Sequence, residues 1–143
     1  MKVLFTDHHL LDISLERKIF ADAGLTLIEA QCQTEQEVID AAGDASACLI
    51  TYAPLNAKVF SALPGLGLVS RIGAGYDTVN AADAVEHGVW VANSPDYGVG
   101  EVSLHALSMM LGTIRGLSRF NDDIHQGNWH YTSAGTIPRA QEM

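Results

Sequence analysis

Basic residues are scarce in this sequence, and their scarcity excludes several classes of protein. Lysine and arginine together number 8, against 17 aspartates and glutamates, which gives a formal net charge of −9 at pH 7. Phosphate backbones and anionic lipid headgroups are bound mainly by Lys and Arg. The charge balance therefore predicts no nucleic-acid partner and no membrane partner.

Cysteines and long hydrophobic runs are also sparse. The two cysteines, Cys32 and Cys48, match no metal-binding or redox spacing, which is typical of a reducing cytoplasm. Only Lys2 precedes the first short apolar run, unlike the start of a signal peptide. The longest apolar tract, 106–117, is too short for a membrane span and contains Arg115. These features predict a soluble, cytoplasmic protein.

Short apolar runs alternate with helical patterns along most of the chain. Hydrophobic residues make up 48% of the sequence. The predicted strands are 3–5, 25–30, 47–52, 66–69 and 89–92, and Ser14 is expected to cap the helix after the first strand. Strands that alternate with helices form right-handed βαβ crossovers, and continuous apolar runs indicate burial on both faces. The sequence therefore predicts an α/β domain with a five-stranded parallel sheet and helices on both faces.

The alternation stops after Tyr97. A long helix is predicted from about Glu101 to about Asn121, followed by a polar tail with no sixth strand. The helix is too apolar for one side of a finished domain. We therefore expect it to pack against a partner.

The Gly73-Ala74-Gly75 sequence is the main candidate for a ligand site. It follows a predicted buried strand, and ligands of open parallel sheets lie beyond the carboxyl ends of the strands. Glycines keep side chains away, so backbone N–H groups can reach a small anion. Tyr52, at the end of the third strand, and Tyr97, after the fifth, also lie at this edge, where each is interpreted either as a wall of a pocket or as a surface aromatic.

Half of a dinucleotide-binding fingerprint occurs three times, as Gly65-x-Gly67, Gly73-x-Gly75 and Gly98-x-Gly100. The full fingerprint needs a third glycine, a strand-to-helix turn and an acid about 20 residues further on. A hydroxyl residue replaces the third glycine each time, and no pattern has the strand, helix and acid in order. The patterns therefore do not predict dinucleotide binding by themselves.

Other phosphate and metal chemistries are also disfavoured. No Walker-type lysine loop is present, and Thr51-Tyr52 stands at the end of the third strand, where a receiver domain has an acid. Asp7-His8-His9 could ligate a metal, but a solvated loop is the better interpretation. We predict no metal site.

Three segments together resemble the D-isomer-specific 2-hydroxyacid dehydrogenases. They are RIGAGYD at 71–77, GVWVANSPDY at 88–97 and EVSLHAL at 101–107. The branch with phosphoglycerate dehydrogenase and the C-terminal-binding-protein corepressors is the most similar. The resemblance implies that 1–97 is a flavodoxin-like substrate-binding domain. It implies that 98–143 is the inter-domain or dimerisation helix and arm of a truncated Rossmann coenzyme domain.

The resemblance also implies roles for individual residues. The amides of Ala74 and Gly75 would bind the substrate carboxylate, and Tyr52 and Tyr97 would line the substrate cleft. Val102 would lie near the nicotinamide of the cofactor. The 101–121 helix would contribute to a homodimer.

By resemblance, the complete enzyme transfers a hydride between NAD or NADP and a small 2-hydroxy or 2-oxo acid. The Arg, Glu and His catalytic set of the family comes later in the chain, so no catalytic residue is assigned here. We expect the 143-residue chain alone to be inactive and to bind no dinucleotide tightly. The alternative is a non-catalytic binding or self-association module that reuses the fold.

Overall fold

The computed structural model describes residues 1–8 and 12–130, and the chain divides after Tyr97 into two compact units. Among the described residues, strands and helices of the first unit alternate, as β1 (Lys2–Phe5), α1 (Ser14–Asp22), β2 (Thr26–Glu29), α2 (Glu35–Ala42), β3 (Ala47–Ile50), α3 (Ala57–Ala62), β4 (Leu68–Arg71), α4 (Ala81–Glu86) and β5 (Trp90–Ala92). The second unit contains α5 (Val99–Ile114) and α6 (Leu117–His125).

The five strands form one parallel sheet in the order β2-β1-β3-β4-β5. Helices α2, α3 and α4 contact one another in sequence, whereas α1 contacts β2. Because right-handed crossovers run in opposite directions from β1 and from β2, α1 lies on the opposite face from the other three helices. The predicted five-stranded parallel sheet with helices on both faces is confirmed, and its order is the flavodoxin-like one.

This strand order places a topological switch point between β1 and β3. The chain leaves β1 toward one edge of the sheet and leaves β3 toward the other, so a crevice opens between the two loops at the carboxyl ends. The loops after β1, β3, β4 and β5 all reach this edge. The Gly73-Ala74-Gly75 turn is one of them.

Side-chain caps explain where three of the helices begin. The Thr34 hydroxyl accepts from the Glu37 amide at 3.3 Å, and the Glu37 carboxylate accepts from the Thr34 amide at 3.0 Å. This capping box starts α2, and Asn56 and Asn80 cap α3 and α4.

The start of α1 differs from the sequence-based expectation. We expected Ser14 to cap this helix, but Ser14 is its first residue and its side chain caps no amide of the helix. Instead, the Asp12 carboxylate accepts from the Ser14 amide at 3.0 Å. The prediction was wrong because an acid two residues earlier satisfies the first amide.

The fourth strand lies two residues later than predicted. Leu66 is buried at 4% exposure, but it precedes the strand. The ladder instead continues to Arg71, which pairs with Ile50 of β3. The polar residues Ser70 and Arg71 were therefore wrongly left out of the strand. This shift puts Arg71 directly before the glycine turn.

The hydrophobic core lies between the sheet and helices α2 to α4. Its fully buried large side chains include Leu4, Ile50, Val59, Phe60 and Val69. Both cysteines are buried free thiols in this cluster, and burial raises the pKa of the Cys48 thiol to about 12. A thiol with so high a pKa is protonated and unreactive at neutral pH.

The helix predicted over 101–121 is interrupted in the second unit. Helix α5 ends at Ile114 and α6 begins at Leu117, with Gly116 between them at φ +63°. Glycine adopts this left-handed conformation readily and so ends the first helix. The prediction of one continuous helix was wrong at this point. Within the described residues, neither helix is long and apolar enough to cross a bilayer.

Candidate functional site

The glycine turn begins as soon as β4 ends. The Ile72 amide makes the last ladder bond, to the Ile50 carbonyl at 2.9 Å, and the Gly73 amide turns back to the Arg71 carbonyl at 3.0 Å. Gly73 is buried and has a φ of +141°, which side-chain-bearing residues rarely adopt. A glycine is therefore required at the first position of the turn.

The carbonyls of the glycine turn accept hydrogen bonds, whereas two of its amides have no acceptor among the described residues. The Asn93 side-chain amide donates to the Ala74 carbonyl at 2.7 Å, and the Ser94 amide donates to the Gly73 carbonyl at 3.0 Å. Ala74 and Gly75 are exposed, and no acceptor among the described residues bonds to their amides. Two adjacent donors on a fixed backbone can receive a small anion.

Arg71 supplies positive charge beside the turn. Its Nε donates to the Thr51 carbonyl at 3.2 Å, and its guanidinium carbon lies 5.7 Å from the centroid of the Tyr52 ring. A Cβ built on Gly73 would overlap a terminal nitrogen of Arg71, so the guanidinium lies against the glycine backbone. No described residue accepts from its two terminal nitrogens. These nitrogens have the fork geometry that binds carboxylates.

The sequence patterns gave Arg71 no role. The signal that could have found it is its position, two residues before a glycine turn at the carboxyl end of a parallel strand. Arginine also tolerates an interface between sheet and solvent because its stem is apolar.

The predicted site residues fall in different parts of the molecule. Tyr52 lies beside Arg71 and is 69% exposed. Tyr97 lies in the loop between β5 and α5 and is 77% exposed. Val102 belongs to the second unit, on the first turns of α5, where it is 70% exposed. The structure thus places Tyr52 beside Arg71 near the glycine turn, and the roles of Tyr52, Tyr97 and Val102 all stay predictions.

A small cavity of about 180 Å³ adjoins the turn. It is lined by Tyr76, Ala81, Val91, Ala92 and Asn93, the last of which holds the Ala74 carbonyl. Drug-sized ligands fill roughly 300–1,000 Å³. The space is therefore smaller than a drug-sized ligand site.

The described residues do not fit a dinucleotide by themselves. Gly65 and Gly67 precede β4, and the Gly73 turn is followed by α4 only at Ala81. The third pattern opens α5, but no strand follows it within the described residues. The predicted absence of a metal site at Asp7-His8-His9 stays a prediction, because His9 lies outside the described residues; among the residues that are described, no group of three suitable ligands occurs.

Fold and turn together define an α/β protein with a glycine turn at the carboxyl edge of a flavodoxin-like sheet, where two adjacent amides have no acceptor among the described residues. The family model of the D-isomer specific 2-hydroxyacid dehydrogenases, catalytic domain, matches residues 3–136. The chain belongs to this family. The resemblance found in the sequence is thereby confirmed.

Individual relatives agree with this assignment. The chain is 32% identical over 94 residues to hydroxypyruvate reductase of Blautia hydrogenotrophica, covering 66% of this chain and 29% of that protein. It is 25% identical over 129 residues to glycerate dehydrogenase of Methylorubrum extorquens, covering 90% and 40%. It thus spans less than half the length of these relatives.

A solved structure shares the fold. The NAD-dependent formate dehydrogenase of Staphylococcus aureus, in complex with NAD, superposes with a TM-score of 0.76 at 18% identity. The superposition covers 97% of this chain and 46% of that one. At this identity the likeness shows the fold alone.

Proposed function

We propose that this chain is the N-terminal, substrate-binding part of an NAD(P)-dependent D-2-hydroxyacid dehydrogenase. The observation that carries the proposal is the pair of amides at Ala74 and Gly75 beside the terminal guanidinium nitrogens of Arg71, none of which has an acceptor among the described residues. A 2-oxo acid presents a carboxylate and a neighbouring carbonyl oxygen. Both groups accept hydrogen bonds, so they match the amide and guanidinium donors at this turn.

In this proposal, residues 1–97 bind the acid and 98–143 are the helix and arm of an incomplete coenzyme domain. The amides of Ala74 and Gly75 hold the carboxylate, and Tyr52 and Tyr97 wall the cleft. Val102 lies near the nicotinamide of the whole enzyme.

The catalytic groups and the coenzyme are supplied outside this chain. In the whole enzyme NAD or NADP exchanges a hydride with the 2-carbon of the substrate, and no residue of this chain takes that step. The part played here is to fix the carboxylate, and so to orient the reacting carbon, in a cytoplasmic enzyme. Orientation of this kind accounts for a large part of enzymatic rate enhancement.

Titration with hydroxypyruvate tests the proposal. We expect saturable shifts of the Ala74 and Gly75 amide resonances in ¹⁵N NMR spectra, with a dissociation constant on the order of 1 mM. Arg71→Gln removes the charge and the fork, and is expected to weaken binding about tenfold. NADH is expected to produce no tight binding to this chain by calorimetry.

Two controls make the titration specific. Hydroxyacetone has the same carbonyl without the carboxylate and is expected to leave the turn amides unshifted. The amide of Gly65, in the turn before β4, serves as an internal reference. Unshifted Ala74 and Gly75 amides at saturating hydroxypyruvate would contradict the proposal.

A second candidate function, self-association, is favoured by the surface of α5. None of its residues is buried, and its exposed apolar side chains include Leu104, Leu107, Met109, Met110 and Leu111. Burying one large apolar side chain contributes roughly 1.5–3 kcal/mol. We propose that this helix, with the following segment up to about Asn121, pairs with a second copy of the chain.

Sedimentation velocity tests the pairing. We expect a dimer at micromolar concentration for the natural sequence. Leu107→Lys places a charge on the apolar helix surface and is expected to raise the dimer dissociation constant at least tenfold. Ser108→Lys, one residue along the same helix, is the matched control. A monomeric natural sequence at these concentrations would exclude the dimer.

A further inference from the structure

Asp7 is a buried carboxylate at the switch point of the sheet. It follows β1 directly and is 1% exposed, and its neighbour Thr6 is fully buried. The crevice between β1 and β3 is where ligands of this sheet order bind. A buried charge is costly unless it is fully hydrogen-bonded, so its partners indicate what it does.

The Asp7 carboxylate is bonded only to donors among the described residues, and most of these donors belong to residues 51–53. Its carboxylate accepts from three consecutive amides: Thr51 at 3.0 Å, Tyr52 at 2.6 Å and Ala53 at 3.4 Å. The Thr6 hydroxyl adds a fourth bond, at 2.6 Å. The carboxylate thus binds the loop after β3 as an anion binds a backbone nest.

A further tie joins the same two segments. The Thr51 hydroxyl donates to the main-chain carbonyl of Asp7 at 2.7 Å. The main chain of residues 51–53 is therefore held to the end of β1 by side chains on both segments.

The other side of this loop reaches the candidate site. The Thr51 carbonyl accepts from the Nε of Arg71, and the Tyr52 ring lies under the Arg71 guanidinium. One peptide segment thus bonds to Asp7 through its amides and to Arg71 through a carbonyl. Moving the segment would move both Arg71 and Tyr52 relative to the glycine turn.

We propose that Asp7 is a positioning residue for the substrate carboxylate, acting through the 51–53 loop on Arg71 and Tyr52. This inference rests on the proposed function, since it concerns how the anion site is kept in place. Asp7 itself does not touch the substrate. It fixes the carbonyl that orients the guanidinium, leaving the terminal nitrogens of Arg71 aimed at the turn.

Asp7→Asn tests the proposal with little change in shape. The asparagine amide turns a donor toward a backbone donor, so at least one of the three amides loses its acceptor. We expect the dissociation constant for hydroxypyruvate to rise about tenfold or more. We also expect the Arg71 Nε–H and Tyr52 ring resonances to shift in the ligand-free chain.

Glu37→Ala is the control for a loss of stability away from the site. The Glu37 carboxylate also holds two backbone amides, those of Gln33 at 2.6 Å and Thr34 at 3.0 Å, but in the loop before α2. This variant is expected to lose stability while keeping the hydroxypyruvate dissociation constant within about twofold. The pair of variants separates positioning from a general loss of stability.

A double-mutant cycle tests the route through Arg71. Arg71→Lys keeps the charge but removes the Nε–H that bonds Thr51. If Asp7 acts through this bond, Asp7→Asn is expected to weaken binding much less in the Arg71→Lys background. Additive losses, or an unchanged dissociation constant in Asp7→Asn, would overturn the inference.

Two further measurements apply if Asp7→Asn does not fold or if the chain does not bind hydroxypyruvate. If Asp7→Asn does not fold, Thr51→Val removes one tie to the same segment and is expected to weaken binding by a few-fold. If the natural chain binds no hydroxypyruvate, the proposed function fails. The ligand-free resonances of Arg71 and Tyr52 then decide the positioning role alone, and unshifted resonances reject it.

Discussion

Replacing Phe60 with alanine is expected to lower the free energy of unfolding by about 3–5 kcal/mol. Phe60 lies on α3, is 1% exposed and belongs to the core between the sheet and helices α2 to α4. Its ring centroid is 6.0 Å from that of His87, at the end of α4. Removing the ring leaves a cavity, because the close-packed helices around Phe60 cannot move far enough to fill it.

Urea unfolding followed by circular dichroism measures this loss. Domains of this size are stable by roughly 5–15 kcal/mol, so the variant is expected to be partly unfolded at 37 °C. Phe20→Ala is the control, because Phe20 is a half-buried residue of α1 on the opposite face of the sheet. We expect it to lose less than half as much. Equal losses would contradict the placement of the core.

The same variant has a local consequence. The Nε2 atom of His87 is also hydrogen-bonded to the Ser61 hydroxyl, at a distance of 2.9 Å. Loss of the Phe60 ring removes the packing that holds the imidazole against α3. The His87 ring resonances in NMR spectra therefore report the damage independently of global unfolding.

Much of the fold was predictable because its signals are local. The capping box at Thr34 and the caps at Asn56 and Asn80 depend on residues within one turn. The alternation of strands and helices, with the known hand of crossovers, then leaves few arrangements of the sheet. The family assignment depends on three segments in order, and the match over 3–136 confirms it.

The errors arose where tertiary structure decides. An apolar Leu66 marked the start of the fourth strand too early, since burial and strand pairing are separate properties. The break at Gly116 was missed because a single glycine inside an apolar run is tolerated in many helices.

The candidate site was only half predictable. The glycine turn could be found because its composition is unusual. The residues around the turn could not be found in this way. Arg71 bonds to Thr51, 20 positions away, and Asp7 bonds to residues 51–53, which lie 44–46 positions away. Such pairs arise from the packing of neighbouring strands. No spacing pattern in one sequence encodes them.

Replacing Gly73 with alanine is expected to have the largest effect on the site itself. At φ +141° an L-residue is strained, and such strain costs on the order of 1–3 kcal/mol. The new Cβ would also overlap a terminal nitrogen of the Arg71 guanidinium. Because that side chain is flexible, we expect the guanidinium to move away from the turn while the backbone strain remains.

Unfolding and binding measurements both report this substitution. Gly73→Ala is expected to lower the free energy of unfolding by about 1–3 kcal/mol and to weaken hydroxypyruvate binding at least tenfold. The double variant Gly73→Ala, Arg71→Ala relieves the overlap but not the φ strain, so it is expected to recover little stability and no binding.

Gly75→Ala is the matched control for stability. Its φ is not positive, and the nearest atom to a new Cβ is an Asp77 carboxylate oxygen at 3.8 Å, an ordinary contact. We therefore expect a change within about 0.5 kcal/mol. If the two alanine variants were equally stable, the backbone of the turn would not be held as described. The two adjacent amides of Ala74 and Gly75 would then lack the rigid backbone that the proposed anion site needs.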